Sequence, residues 1–66
     1  MVIVEGLVVE SGEKYIRVRV GKEVELILYH NGVNFEVGSS VRVVCAVKKW
    51  KNKVVFVVVD GGGADA

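Results

Sequence analysis

The stretch KYIRVRVGKEVELILYH, residues 14–30, alternates apolar and other side chains on both sides of a single glycine. An alternation with a period of two is typical of β-strands, because successive side chains of a strand point to opposite faces. Gly21 divides the stretch into two strands, which we predict to pair as an antiparallel hairpin. The predicted core face of this hairpin consists of Ile16, Val18, Val20, Val24, Leu26 and Leu28.

The register of the hairpin follows from the length of its turn. A loop of three residues, 21–23, is the simplest one that lets both faces match across the pair. The outer face then combines two tyrosines, two arginines and an isoleucine with one glutamate. The predicted cross-strand pairs on this face are Tyr15 with Tyr29, Arg17 with Ile27, and Arg19 with Glu25.

This outer face has two interpretations. Aromatic planes stack on unpaired nucleic-acid bases for about 1 to 3 kcal/mol per base, and arginines pair with phosphates or stack themselves, so the face is a candidate binding surface. Alternatively, Tyr15 and Tyr29 form an ordinary cross-strand aromatic pair, and Arg19 and Glu25 form a surface ion pair of little energetic value.

The rest of the chain is also typical of strands, because valine dominates its apolar runs and Gly or Asn separates them. Gly6 lies inside the first strand, where a glycine indicates a bulge or a bend that turns a barrel corner. Bare Val-rich edges without a covering helix favour a closed sheet. We therefore predict an all-β fold, a small five-stranded antiparallel barrel formed by residues 1–60, with a flexible Gly-rich tail at 61–66. The predicted strands are 2–10, 14–20, 23–29, 40–50 and 53–60.

The connection between the third and fourth strands, around HNGVNFEVGSS at residues 30–40, is too short and too interrupted by glycine for a substantial helix. We predict a loop in which Phe35 and Val37 fold back to plug the open end of the barrel. Gly38 permits the tight turn into the fourth strand. His30 is expected to be a loop residue.

The segment KKWKNK, residues 48–53 and here called the basic tip, surrounds the only tryptophan with four lysines. Lys51 and Asn52 are predicted to form a two-residue turn, since Asn tolerates positive φ. Four neighbouring positive charges repel one another unless an anion compensates them, so this segment favours phosphate binding. Trp50 would then be a platform on which a base stacks. Alternatively, the lysines only prevent edge pairing, and Trp50 covers the adjacent Val-rich surface.

The composition limits the other classes of function. The chain of 66 residues is large enough for one domain, and its net charge of +1 gives no global attraction to nucleic acid or lipid. His30 and Cys45 are solitary, and Cys45 fits a buried thiol, so we expect a non-enzyme without metal or cofactor. No apolar run reaches the roughly 20 residues of a membrane span, which favours a cytoplasmic protein. Abundant Val, Lys, Glu and Arg without Pro fits a thermophile.

The strand pattern, with VEGLVVES at residues 4–11 and FEVGSSVRVVCAV at 35–47, resembles the oligonucleotide-binding barrel, or OB-fold. It looks most similar to the small one-barrel proteins of the translation initiation factor 1 and S1 type, over about residues 2–60. The resemblance implies binding of single-stranded nucleic acid by the second and third strands, by the loop between the first and second, and by the loop between the fourth and fifth. Alternation and resemblance together predict as nucleic-acid-binding residues Tyr15, Arg17, Arg19, Ile27, Tyr29, Arg42, Lys48, Lys49, Trp50, Lys51 and Lys53.

Two departures from that family matter. The usual helix between the third and fourth strands has no room here, and the charge balance is less basic than in many of its nucleic-acid binders. We expect binding of single-stranded DNA or RNA with little sequence preference.

A rival function is assembly. In VVFVVVD, residues 54–60, both faces are apolar, and an exposed apolar strip of this kind needs a covering partner. Val55, Val57 and Val59 are predicted to face outward and to form an interface in a homo-oligomer, such as a homodimer, or with a larger protein. A third option is a small-ligand barrel, for which only Ser39 and Ser40 offer polar donors.

Overall fold

The computed structural model of the protein describes residues 1–63, which form five strands and their connections. No helix interrupts the loop between the third and fourth strands, as predicted. Within residues 1–63 there is no helix of the length and apolarity that crossing a membrane requires. The strands are β1 (Val2–Ser11), β2 (Tyr15–Val20), β3 (Val24–Tyr29), β4 (Ser40–Trp50) and β5 (Lys53–Gly63).

The strands close into a barrel in the order β1, β2, β3, β5, β4. This confirms the predicted five-stranded all-β barrel and is consistent with an OB-type barrel. Four of the neighbouring pairs are antiparallel, but β3 and β5 are parallel and pair through Leu28 with Phe56 and Tyr29 with Val57. The prediction of a purely antiparallel barrel needs this correction, because an odd number of strands in a closed ring cannot alternate in direction throughout.

Gly6 lies where β1 changes partners. Residues up to Leu7 pair with β4, and residues from Leu7 onward pair with β2. A Cβ atom at Gly6 would meet the carbonyl oxygen of Arg19 and would lie 2.6 Å from Cγ1 of Val18. The glycine therefore allows the β2 backbone to approach β1 closely at this barrel corner.

The core is built from the inward side chains of four strands and one loop residue. Val20, Leu26, Phe56 and Val58 are partly buried against it. Val24 was predicted to be in the core but is 55% exposed, because β3 begins there, beside the turn and ahead of its two paired positions with β5. The buried apolar residues are Val4, Val8, Ile16, Val18, Leu28, Phe35, Val41, Val43 and Cys45.

The loop after β3 buries only one of the two residues that were predicted to plug the end of the barrel. Phe35 is buried as expected, whereas Val37 is 60% exposed. The backbone turns at residues 36–39, where the amide of Ser39 donates to the carbonyl of Glu36, and this turn directs Val37 outward. His30 is buried instead, with its ring centroid 5.4 Å from that of Phe35.

The end of β5 runs further than the predicted strand. Gly61, Gly62 and Gly63 pair with residues of β4, so they belong to the sheet and not to a tail. A Cβ at Gly61 would lie 2.7 Å from Cα of Val43, so this position also requires glycine for close packing. The remainder of the predicted tail, 64–66, lies outside the described residues.

Candidate nucleic-acid interface

The hairpin of β2 and β3 has the predicted register. Its turn spans residues 21–23, with Gly21 at a φ of +72°. Since directly paired residues point to the same side of a sheet, the predicted outer face is assembled as expected. The outer pairs are Tyr15 with Tyr29, Arg17 with Ile27, and Arg19 with Glu25.

The arginines of this face are already paired with carboxylates. Nε of Arg17 lies 3.2 Å from Oε1 of Glu10 without hydrogen-bond alignment, and Nη2 of Arg19 donates to Oε2 of Glu25 at 3.0 Å. The hydroxyl of Tyr15 donates to Glu10 at 2.6 Å, and this bond, with the charge of Glu10, raises the pKa of Tyr15. A phosphate on this face would have to compete with two glutamates.

The position of Glu10 depends on a bulge that the alternation did not reveal. Val8 pairs with Val18, but the next registered pair is Glu10 with Arg17, so Val9 is the extra residue. A bulge changes which side of the sheet the following residues face, and here it places Glu10 on the outer face.

The basic tip is a two-residue turn, as predicted. Trp50 pairs with Lys53, and both Lys51 and Asn52 have positive φ, at 50° and 63°. Residues 47–54 are all exposed, so this end of the hairpin presents both faces to solvent. Nζ of Lys51 lies 4.7 Å from the centroid of the Trp50 ring, a cation–π contact. None of the ion pairs found within residues 1–63 includes a lysine.

Strand pairing divides the tip into two faces. Trp50 shares its face with Lys53, and the neighbouring pair on this face is Lys48 with Val55. Lys49 pairs with Val54 on the opposite face. The structure therefore brings Lys48 and Lys53 to the same side of the sheet as the tryptophan, and Lys51, in the turn, contacts the tryptophan ring.

A cavity of about 320 Å³ lies on that side, lined by Tyr29, Trp50, Val55 and Val57. Tyr29 reaches it through the parallel pair with Val57, which joins β3 to β5. We call this cavity, together with Lys48 and Lys53, the cavity site. Its lining is two aromatic rings and two valines, so the tyrosine hydroxyl and the indole N–H are the polar groups of these side chains.

The cavity site unites residues that the sequence analysis had assigned to two different functions. Tyr29 and Trp50 were predicted to bind nucleic acid, whereas Val55 and Val57 were predicted to form an oligomer interface. Val59 does not join them. It is the extra residue of a bulge between the pairs of Cys45 with Val58 and Val44 with Asp60, and it is 49% exposed.

Arg42 is not brought to the cavity site. It pairs with Glu5, with Nε 3.5 Å from Oε1, near the start of β4. Trp50 ends the same strand eight residues later, a distance of about 26 Å along an extended strand.

The described part of the chain contains no cluster of three or more His, Cys, Asp or Glu side chains that could hold a metal ion. His30 and Cys45 are both buried in the barrel. Burial also raises the pKa of the Cys45 thiol, which keeps it in the unreactive protonated form. The side chains of the cavity site offer stacking, apolar contact and positive charge.

No family model, curated protein or solved structure matches this chain.

Proposed function

We propose that the protein binds single-stranded DNA or RNA at the cavity site, without catalysis and with little sequence preference along most of the strand. The observation that carries this proposal is the position of Tyr29 and Trp50 around an apolar cavity, directly beside lysines that have no carboxylate partner within residues 1–63. A single strand offers unpaired bases and phosphates, which are the two groups that this combination suits.

The energetic contributions come from two sources. Stacking of a base on an aromatic side chain stabilises a complex by about 1 to 3 kcal/mol. Each bound phosphate releases counterions, so affinity falls with salt by a slope of about 0.7 per phosphate on a single strand. The resemblance to OB-type barrels of the translation initiation factor 1 and S1 type implies binding by the second and third strands and the loops beside them, and the cavity site overlaps that surface at Tyr29 and at the β4–β5 turn.

The arginines have a smaller part in this proposal than the lysines. Arg17 and Arg19 are neutralised by Glu10 and Glu25, and Arg42 by Glu5. Binding a phosphate to one of these arginines requires breaking its ion pair with a carboxylate, which reduces the net free energy of binding. The lysines of the basic tip are the groups we expect to carry the salt dependence.

The direct test is a titration of Trp50 fluorescence with a short oligothymidine and a short oligouridine at low and moderate salt. We expect saturable quenching that weakens with salt, because the only tryptophan borders the cavity. The absence of any response to either oligomer at micromolar protein would reject the proposal.

Variants locate the site, with binding followed by the anisotropy of a labelled oligomer. Trp50→Ala should weaken binding of every sequence. Val54→Ala is the matched control, since Val54 lies on the same hairpin end but on the opposite face and is 65% exposed. Equal affinities for the two variants would remove Trp50 from the site.

Assembly is the second candidate function. Its specific support is the exposure of Val47 and Val54 on the face of the hairpin opposite Trp50, together with exposed Val59. A homodimer or a larger protein partner would cover these valines. A mass in solution above that of a monomer, lowered by Val54→Lys, combined with no response to oligonucleotides, would favour this function instead.

A further inference from the structure

We propose that the cavity accepts one pyrimidine base and prefers a 5-methyl pyrimidine, so that thymine binds there better than uracil and DNA better than RNA. This inference rests on the proposed binding of single strands and adds a specificity to it. It concerns the cavity alone and not the contacts made by the rest of the strand.

The walls of the cavity determine the kind of recognition. Tyr29, Trp50, Val55 and Val57 line it, and no amide, carboxylate or ammonium group is among the lining side chains. Base edges are distinguished through hydrogen bonds where donors and acceptors face them, and through apolar contact where methyl groups do. Apart from the Tyr29 hydroxyl and the Trp50 indole N–H the lining is apolar, so it selects mainly by apolar contact, and the C5-methyl of thymine is the group that such contact favours.

The volume is large enough for one base. A cavity of about 320 Å³ lies at the lower end of the range for ligand pockets. Thymine and uracil have the same polar groups, so the cost of desolvating their polar edges is the same in this cavity. The methyl group remains as the difference between them.

The surrounding charges favour a nucleic acid over a second copy of this chain. Lys48 is the cross-strand partner of Val55, and Lys53 is the partner of Trp50, so positive charge flanks the apolar walls. Phosphates on either side of an inserted base would be attracted to these lysines. A two-fold interface through the same face would bring the lysines of two copies together and would be opposed by their repulsion.

The test compares oligomers of deoxythymidine and deoxyuridine of equal length. These strands share sugar and phosphate and differ only in the methyl group. We expect about fourfold tighter binding of the deoxythymidine oligomer, the value of one methyl group removed from water. The same ratio is expected between oligomers of 5-methyluridine and uridine.

Substitutions assign the preference to the cavity. Val55→Thr and Val57→Thr keep the branched shape that suits a strand but place a hydroxyl in the wall. Each should reduce the preference for thymine toward unity while the salt dependence of binding stays the same. Val59→Thr, outside the cavity, is the matched control and should retain the preference.

The outcomes separate this inference from the proposed function. Equal affinity of the unaltered protein for the two deoxy oligomers would overturn the thymine preference and leave single-strand binding intact. Failure to bind either oligomer would overturn both. A thymine preference that persists in both cavity variants would move the selective contact away from this cavity.

Discussion

At Gly6 the barrel has no room for a side chain, because a Cβ there would meet the carbonyl of Arg19 and a methyl group of Val18. Gly6→Ala must therefore push β1 and β2 apart, and we expect it to lower the free energy of unfolding by about 1 to 3 kcal/mol. Ser11→Ala, on the same strand but exposed, is the control and should stay within about 0.5 kcal/mol. Urea unfolding measures both. Equal stabilities would show that the two strands do not approach closely at this corner.

The thiol of Cys45 is fully buried, and this burial raises its pKa above the ordinary value of 9.0. The folded protein then keeps a proton that the unfolded chain releases, so the stabilisation present below pH 9 is lost as the pH rises above it. The free energy of unfolding should fall as the pH rises above 9, by at most about 1.4 kcal/mol per pH unit for this one group. Urea unfolding across this range measures the slope.

Cys45→Ala is the control for this pH dependence. Its slope should be smaller than that of the unaltered chain. The ionisation of Tyr15, whose pKa is also raised, contributes equally to both proteins and cancels in the comparison. Identical slopes would mean that Cys45 ionises as easily in the barrel as in the unfolded chain.

Among the elements, the strands were predictable because their alternation is local, and the register of the β2–β3 hairpin followed from a turn of three residues. Bulges were not predictable in this way. The extra residues Val9 and Val59 are both valines in valine-rich runs, and nothing in the pattern distinguishes them from their neighbours. The exposure of Val24 was also not predictable. Alternation shows which face of a strand a residue lies on, but not whether the end of the strand extends beyond the core of the barrel.

The turn of the β4–β5 hairpin carries a residue type that its backbone disfavours. Lys51 has a φ of 50°, in the left-handed region that costs an ordinary side chain about 1 to 2 kcal/mol and that suits Asn or Gly better. Its ammonium lies over Trp50, beside the cavity site. We infer that Lys51 is retained in this turn because it contributes to ligand binding, although its backbone conformation lowers the stability of the fold.

Lys51→Asn tests this explanation. The variant should be more stable by about 0.5 to 1 kcal/mol, because it relieves the turn, and it should bind oligonucleotides more weakly with a lower salt slope. Chemical unfolding and titration at several salt concentrations measure the two effects. Lys22→Asn, in the turn between β2 and β3, removes a charge elsewhere and should leave binding unchanged. A gain in stability with unaltered binding would exclude Lys51 from the site.

In the whole molecule, closure of the barrel creates the cavity site. Tyr29 and Val57 are distant in sequence and become neighbours only because β3 and β5 pair in parallel. Strand periodicity could place each residue on an outer face, but it could not show that the predicted interface valines and the predicted stacking aromatics share one cavity. It predicted the pair of Arg19 with Glu25, but it could not show that Arg17 and Arg42 would also be neutralised. Glu10 reaches Arg17 through a bulge, and Glu5 reaches Arg42 across a pair distant in sequence.

This distribution of charge gives a prediction for the molecule as a whole. The net charge is only +1, so a general attraction to nucleic acid is weak, and the salt dependence should come from specific lysines. Lys48→Gln with Lys53→Gln should reduce the slope of log affinity against log salt by about 0.7 for each phosphate that the variant no longer binds. Oligonucleotide titrations over a range of salt concentrations measure the slope.

The matched control is Lys14→Gln with Lys22→Gln. It removes the same number of positive charges from exposed positions outside the basic tip, so it changes the net charge identically. If net charge governs binding, the two double variants will show equal slopes of log affinity against log salt. That result would mean that the phosphates are not bound at the cavity site. If Lys48 and Lys53 hold phosphates beside the cavity, their removal will flatten the slope and the removal of Lys14 and Lys22 will not, because the phosphates bound at the site and not the overall charge determine how many counterions are released.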